Sequence, residues 1–269
     1  MNVFRIPDRG VLRVGGAEAG SFLQALVTNN VAGIESGTAV YAALLTPQGK
    51  FLHDFFVTPD PVGDALLLEA EAPRIDDLKR RLTMYKLRSK ITIEDVSADW
   101  QVLAAPDGGV MGKGAISYSD PRDPGMGQRL LWPATSPLPD HSDDLSDYHA
   151  LRVSRGIPDG SRDMEVEKNF MLEVRFDKLN GIDFRKGCYV GQEITARSKY
   201  RGNVRKMLLS CHVEGDLPDA GADVVVDGRS VGTVRSGAGD HVLAMLRLDR
   251  PEGTLQAGSA RLTVTTPTD

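Results

Sequence analysis

The chain has 269 residues, 41% of them hydrophobic and 26% charged, with a formal net charge of −5 and two cysteines. This is enough chain for one large domain or two to three small ones, in the composition of an ordinary water-soluble protein. The charge excludes a protein that coats nucleic acid or an acidic membrane with its whole surface, two cysteines exclude a disulfide framework, and no apolar run nears the roughly 20 residues of a membrane span.

From the N-terminus, which lacks the charged-then-apolar pattern of a secretory signal and predicts a cytoplasmic protein, the first periodic stretch is Ala17 to Asn30. Phe22, Leu23, Leu26 and Val27 form one stripe of a helix that ends at two asparagines. Ala39 to Thr46 and Phe51 to Thr58 are strand-like, and Pro47-Gln48-Gly49-Lys50 supplies the turn of a hairpin. Ala65 to Glu69 is a third strand, after which Pro73 opens a helix carrying Ile75, Leu78, Leu82 and Tyr85 on one face. Strands follow at Lys90 to Val96 and Trp100 to Ala104. Pro, Gly, Asp and Ser then dominate from Pro106 to His141, which predicts loops, and Ser142 caps a helix through Leu145, Tyr148 and Leu151 that Gly156 and Pro158 stop. After Gly202 five short strands, Val204 to Val213, Asp223 to Val226, Ser230 to Arg235, Val242 to Leu246 and Arg261 to Thr265, with Asp227-Gly228 as a hairpin turn, predict a small barrel. The whole is an α+β chain.

Chemistry concentrates at Lys186-Gly187-Cys188-Tyr189-Val190-Gly191-Gln192-Glu193. Arg185 and Lys186 would favour the thiolate of Cys188, and Gly187 and Gly191 allow turns or a close approach that a Cβ would block. Cys211, among Leu208, Leu209 and Val213, reads as core. Gln192 and Glu193 also read simply as the start of a helix toward Lys199, an acid suiting the positive end of its dipole; Arg152 and Arg155 suit a helix C-terminus for the opposite reason. Two basic segments, Arg74 to Lys90 and Arg185 to Lys206, each hold seven cations, the second against Glu193 alone. They read either as solvated faces or as sites for an anion such as a glutamate tail, phosphate or RNA. The histidines and cysteines lack the spacing of a zinc site, there is no Gly-x-Ser-x-Gly, and Gly108 to Gly114 departs from a phosphate loop.

Lys186 to Glu193 resembles the signature of the YgfZ group of folate-binding proteins, relatives of the aminomethyltransferase (T-protein) of glycine cleavage. Phe22 to Val31 and Ala43 to Lys50 resemble that group's first helix and first hairpin. The resemblance implies a T-protein-like, three-lobed architecture: residues 1–105 as a folate-binding lobe, 106–200 as a second lobe interleaved with it and carrying the cysteine motif, and 201–269 as the barrel. It implies tetrahydrofolate or a one-carbon derivative as cofactor, with Lys186, Gly187, Tyr189, Gly191, Gln192, Glu193, Arg152 and Glu173 as binding residues. Cys188 is then a reactive thiol or transient ligand in the assembly or repair of [4Fe-4S] proteins. Partners are iron-sulfur client or assembly proteins, with a weak tRNA contact and no membrane. Two departures stand out: Ser154 replaces the acid of the T-protein Arg-x-Glu-x-Gly pattern, and Leu67 to Ala72 falls where T-proteins have an Asn-rich turn near their catalytic aspartate, with no such turn present. A folate-dependent one-carbon transferase, with Glu69, Glu71 or Glu173 as its carboxylate, and an RNA-associated protein are the rival readings.

Overall fold

The computed structural model describes residues 2–202 and 204–266. It divides into two compact units, each assembled from separate stretches of chain. The first comprises the chain up to Gln48, Leu52–Leu145 and Asp177–Gln192; the second comprises Gly49–Phe51, Ser146–Phe176 and the chain from Glu193.

The first unit holds β1 (Phe4–Arg5), β2 (Arg9–Gly15), α1 (Ala19–Gln24), β3 (Val40–Leu45), all but the first residue of β4 (Phe51–Pro59), β5 (Ala65–Glu71), α2 (Ile75–Lys86), β6 (Thr92–Asp95), β7 (Trp100–Ala105), β8 (Ile116–Ser119) and β9 (Gln128–Pro133). They form a five-stranded sheet in the order β3-β4-β5-β2-β6 and a four-stranded sheet in the order β1-β7-β9-β8. Residues 51–58 of β4 are all buried, so both faces of that strand are covered. α2 lays Ile75, Leu78 and Leu82 into the core, as its periodicity predicts, while Tyr85 is left at the surface.

Three predicted elements differ. The first helix stops at Gln24 rather than Asn30: Val27 leaves the helix to bridge Leu44, and Thr28 N donates to Ala43 O. The apolar stripe is nevertheless real, since Phe22, Leu23, Leu26 and Val27 are all buried. The Pro- and Gly-rich stretch 106–141 is not all loop, because it contains β8 and β9. Ser142 caps no helix; its hydroxyl accepts from Asp144 N and donates to Asp144 O, and the helix begins four residues later.

The second unit contains α3 (Ser146–Ser154), α4 (Gly160–Asp163) and most of α5 (Gln192–Arg201), followed by β10 (Lys206–Glu214), β11 (Asp223–Val226), β12 (Arg229–Ala238), β13 (His241–Arg247), β14 (Leu255–Ala257) and β15 (Ala260–Val264). The strands close a barrel in the order β10-β13-β12-β11-β14-β15, one strand more than predicted because β14 is only three residues long. Strict alternation fills it: Leu209, Cys211 and Val213, then Val242, Ala244 and Leu246, then Ala260 and Leu262 join one buried cluster. Each fully buried Val or Leu there contributes about 1.5–3 kcal/mol. Register shifts at Val224/Val225 and Val234/Ser236 are bulges that increase the bend closure requires. Asp227 and Gly228 both have positive φ, the backbone of the tight hairpin turn predicted there.

Candidate functional site

The cysteine motif lies in the irregular segment that follows Asn180, and it is fastened to the turn after α1 by side chain to backbone bonds. Thr28 Oγ1 donates to Gly181 O at 2.7 Å and accepts from Ala43 N at 2.8 Å. Asn29 Nδ2 donates to Asn180 O at 2.6 Å and to Tyr41 O at 2.8 Å. Thr28 O accepts from Asp183 N at 3.1 Å. Lys186 then reaches back, donating from Nζ to Val27 O and, at 2.7 Å, to Asn29 O. Two of the three segments that carried the family resemblance, the cysteine motif and the stretch Phe22 to Val31, are therefore bonded together through Lys186. Polar side chains at Thr28 and Asn29 replace the helix that periodicity alone predicted.

Lys186 also has a structural task. Its ammonium is directed at two carbonyls and lies 5.3 Å from the centre of the buried Tyr189 ring. Burial pulls its pKa down to about 8, with the nearby Asp183 carboxylate opposing. It anchors the loop. Arg185 is almost wholly exposed and 4.0 Å from Asp183. Between this anchor and α5, Gly187 has φ +94 with open space where a Cβ would sit, and Cys188 is exposed. Gly191 also has positive φ, and Gln192 N donates to Tyr189 O at 3.2 Å as α5 begins. The product is a loop anchored at Lys186 that carries an exposed thiol.

The remaining predicted residues belong to the second unit. Glu193 is exposed in the first turn of α5 and pairs with Arg197 at 2.8 Å, as its helix-start reading predicts. Arg152 is buried on α3, where it donates to Asp163 at 2.7 Å, Ile157 O at 3.2 Å, Ser236 Oγ at 3.3 Å and His149 Nδ1 at 2.9 Å. Ser154, where T-proteins carry an acid, turns its hydroxyl to Leu151 O. Glu173 accepts from Phe170 N at 3.1 Å and sits 3.7 Å from Lys206.

Sequence reasoning missed a buried charged cluster in the first unit. Glu69 accepts from Arg9 Nε at 2.8 Å, Tyr118 OH at 2.8 Å and Arg129 Nε at 3.0 Å, with a second Arg129 bond beside them. The Phe56 ring lies 4.4 Å from the Arg129 guanidinium and 4.8 Å from that of Arg122, which pairs with Asp120 at 2.7 Å. Burial pushes the Glu69 carboxyl up, but Arg129 and Arg9 outweigh it and hold the group at about 2. A cation within Arg129-Leu130-Leu131-Trp132 was the available signal, because a charge inside an apolar strand needs a buried partner.

The two thiols are opposites. Cys211 is buried in the barrel, and burial pushes it up to about 12. Under native conditions one thiol per chain is expected to react with Ellman's reagent, and two after unfolding; two reacting in the folded protein would contradict the closed barrel. Among the described residues, no group of three or more His, Cys, Asp or Glu is arranged to hold a metal ion.

The C-terminal beta-barrel domain of CAF17 matches residues 205–269. An iron-sulfur cluster assembly factor IBA57 homolog, mitochondrial, of Neurospora crassa is 36% identical over 81% of this chain; the chain spans 56% of that relative's length. Iron-sulfur cluster assembly factor IBA57, mitochondrial, of Mus musculus is 34% identical, with 94% of this chain and 79% of the mouse protein covered. The glycine cleavage system aminomethyltransferase T of Bartonella henselae superposes with a TM-score of 0.73 at 14% identity, covering 98% of this chain and 84% of that one, so the T-protein-like fold is established. The relatives also correct two expectations. They are IBA57 proteins rather than members of the related YgfZ group, and their names place them in mitochondria, which overturns the cytoplasmic placement. With an exposed cysteine on a T-protein-like frame and that extent of identity, the chain belongs to the IBA57 family of iron-sulfur cluster assembly factors.

Proposed function

We propose that this protein is an accessory factor in iron-sulfur protein assembly and that Cys188 is its working group. The observation that carries the reading is the pairing of an exposed thiol with a loop braced by Thr28, Asn29 and Lys186. A thiolate is a soft ligand suited to iron, and one thiolate supplies one of the four that a cluster takes. The other ligands must therefore come from a client or assembly protein, with the cluster as cargo passed between the two. The space at Gly187, next to Cys188 in the chain, is open to such a partner.

Tetrahydrofolate, implied by the T-protein likeness, is not required for this step. Arg152, one of the eight residues implied for it, is closed into an ion pair with Asp163, and Ser154 offers no carboxylate for a pterin. The rival one-carbon transferase needs a carboxylate with an acceptor open to substrate. Glu69 has both oxygens engaged by arginine, Glu71 lies beside Arg74 at 3.4 Å, and Glu173 accepts from backbone. A tRNA contact rests only on the basic segments, where Lys186, Arg197 and Lys206 already face acceptors of this chain.

The test is complementation of a strain lacking the protein. Cys188→Ala is expected to fold with an unchanged unfolding midpoint, since the side chain is exposed, yet to lose most of the [4Fe-4S] enzyme activity that the wild-type chain restores. Full restoration by Cys188→Ala would sink the proposal.

A further inference from the structure

Of the seven large apolar side chains exposed among the described residues, three stand within four positions at the end of α2: Met84, Tyr85 and Leu87. Leu87 is 90% exposed. It occupies the position that closes the helix, with φ +43 and ψ −105, a backbone that glycine adopts freely and a branched side chain adopts at a cost. An apolar side chain held out in water on a strained backbone gives the fold nothing, and such outliers persist where function requires them.

The surroundings are basic. Lys79, Arg80, Arg81, Lys86, Arg88 and Lys90 fall between residues 78 and 90 with no acid among them. Asp77, one turn earlier, pairs with Arg80 and Arg81, leaving three further cations, Lys86, Arg88 and Lys90, at the helix end. The rest of a chain whose net charge is −5 must then be strongly acidic, so this cluster is a local feature rather than a share of an overall excess.

We infer that the end of α2 docks on an anionic phospholipid surface, with Leu87 entering the headgroup boundary, flanked by Met84 and Tyr85, and the cations meeting lipid phosphates. The shape favours lipid over a protein or RNA. The helix's continuous apolar stripe is used internally by Ile75, Leu78 and Leu82, so what remains is a convex tip, which a bilayer accommodates without a matching pocket. Basic side chains at such a surface each add to the attraction, and an aromatic ring suits the interface. No helix of the described chain is long and apolar enough to cross a membrane, so this contact is peripheral. It revises the expectation of no membrane contact, and it stands independently of the role given to Cys188.

The experiment is flotation of the full chain with vesicles of phosphatidylcholine mixed with phosphatidylglycerol, and with phosphatidylcholine alone. Binding is expected on the anionic vesicles only and is expected to fall away at high salt. Leu87→Gly should relieve the backbone and unfold at the same or a higher midpoint, yet bind vesicles roughly tenfold more weakly, consistent with loss of a buried apolar side chain. Arg88→Glu with Lys90→Glu should weaken binding at least as much. No binding to anionic vesicles at low salt, or binding indifferent to Leu87→Gly, overturns the inference. So does tRNA binding through the same residues in the absence of vesicle binding.

Discussion

Glu69→Gln is expected to lower folding stability by about 3–5 kcal/mol, the range for removing one partner of a buried ion pair. The variant keeps the shape of the side chain but leaves the Arg9 and Arg129 guanidiniums buried without their counter-charge. Set against a total of about 5–15 kcal/mol for a typical protein, that is a large fraction of what holds the fold. Urea unfolding followed by circular dichroism measures it, and a loss within about 0.5 kcal/mol, the range of an ordinary surface change, would contradict the geometry. The same residue sets an acid limb. Its carboxyl titrates near 2 when folded and near 4.5 otherwise, so the unfolded chain binds the extra proton between those values. The contribution is complete above about pH 4.5 and is lost as pH falls toward 2, amounting to about 3 kcal/mol at roughly 1.4 kcal/mol per unit. Wild type should therefore lose stability over that window more steeply than Glu69→Gln.

Arg152→Ala is expected to cost a similar amount in the second unit, for a related reason. Asp163 would keep only its bond from Asp159 N at 2.8 Å, and its other oxygen is buried without a hydrogen-bond partner already. Ser236 and the carbonyl of Ile157 would lose a donor as well. The contrast is Arg197→Ala on the exposed face of α5, where an i,i+4 pair contributes roughly 0.3–0.5 kcal/mol. Pairing Arg152→Met with Asp163→Leu should recover much of the loss, because the desolvation of both charges disappears together. A double-mutant cycle on the unfolding free energy checks this; additivity of the two single changes would mean that the side chains do not act as a pair.

The sequence was most legible where one periodicity ran unopposed. The barrel strands alternate apolar and polar residues, and the Asp227-Gly228 turn marks its hairpin, so five of its six strands could be placed; β14 is too short to show a period. α2 was equally clear. What escaped was decided by partners distant in sequence. The helix after Ala17 is cut short because Thr28 and Asn29 bond to residues near 180, and β8 and β9 form in a stretch whose glycines and prolines read as loop. At the site, the motif identified Cys188, but the target of Lys186 was invisible without the fold, since its acceptors lie in the turn after α1. Arg152 read as suiting a helix C-terminus, and its ion pair with Asp163 was likewise invisible without the fold.

The anchoring of Lys186 to carbonyls 157 and 159 positions away ties the display of the thiol to the order in which the chain is made. Residues near Val27 leave the ribosome long before residue 186, and closing so long a loop is entropically costly until the intervening strands have paired. A nascent or truncated chain would therefore carry the cysteine without its braced posture. Only a completed first unit presents it in this posture, so exposure of the thiol on its anchored loop depends on strands made more than a hundred residues earlier.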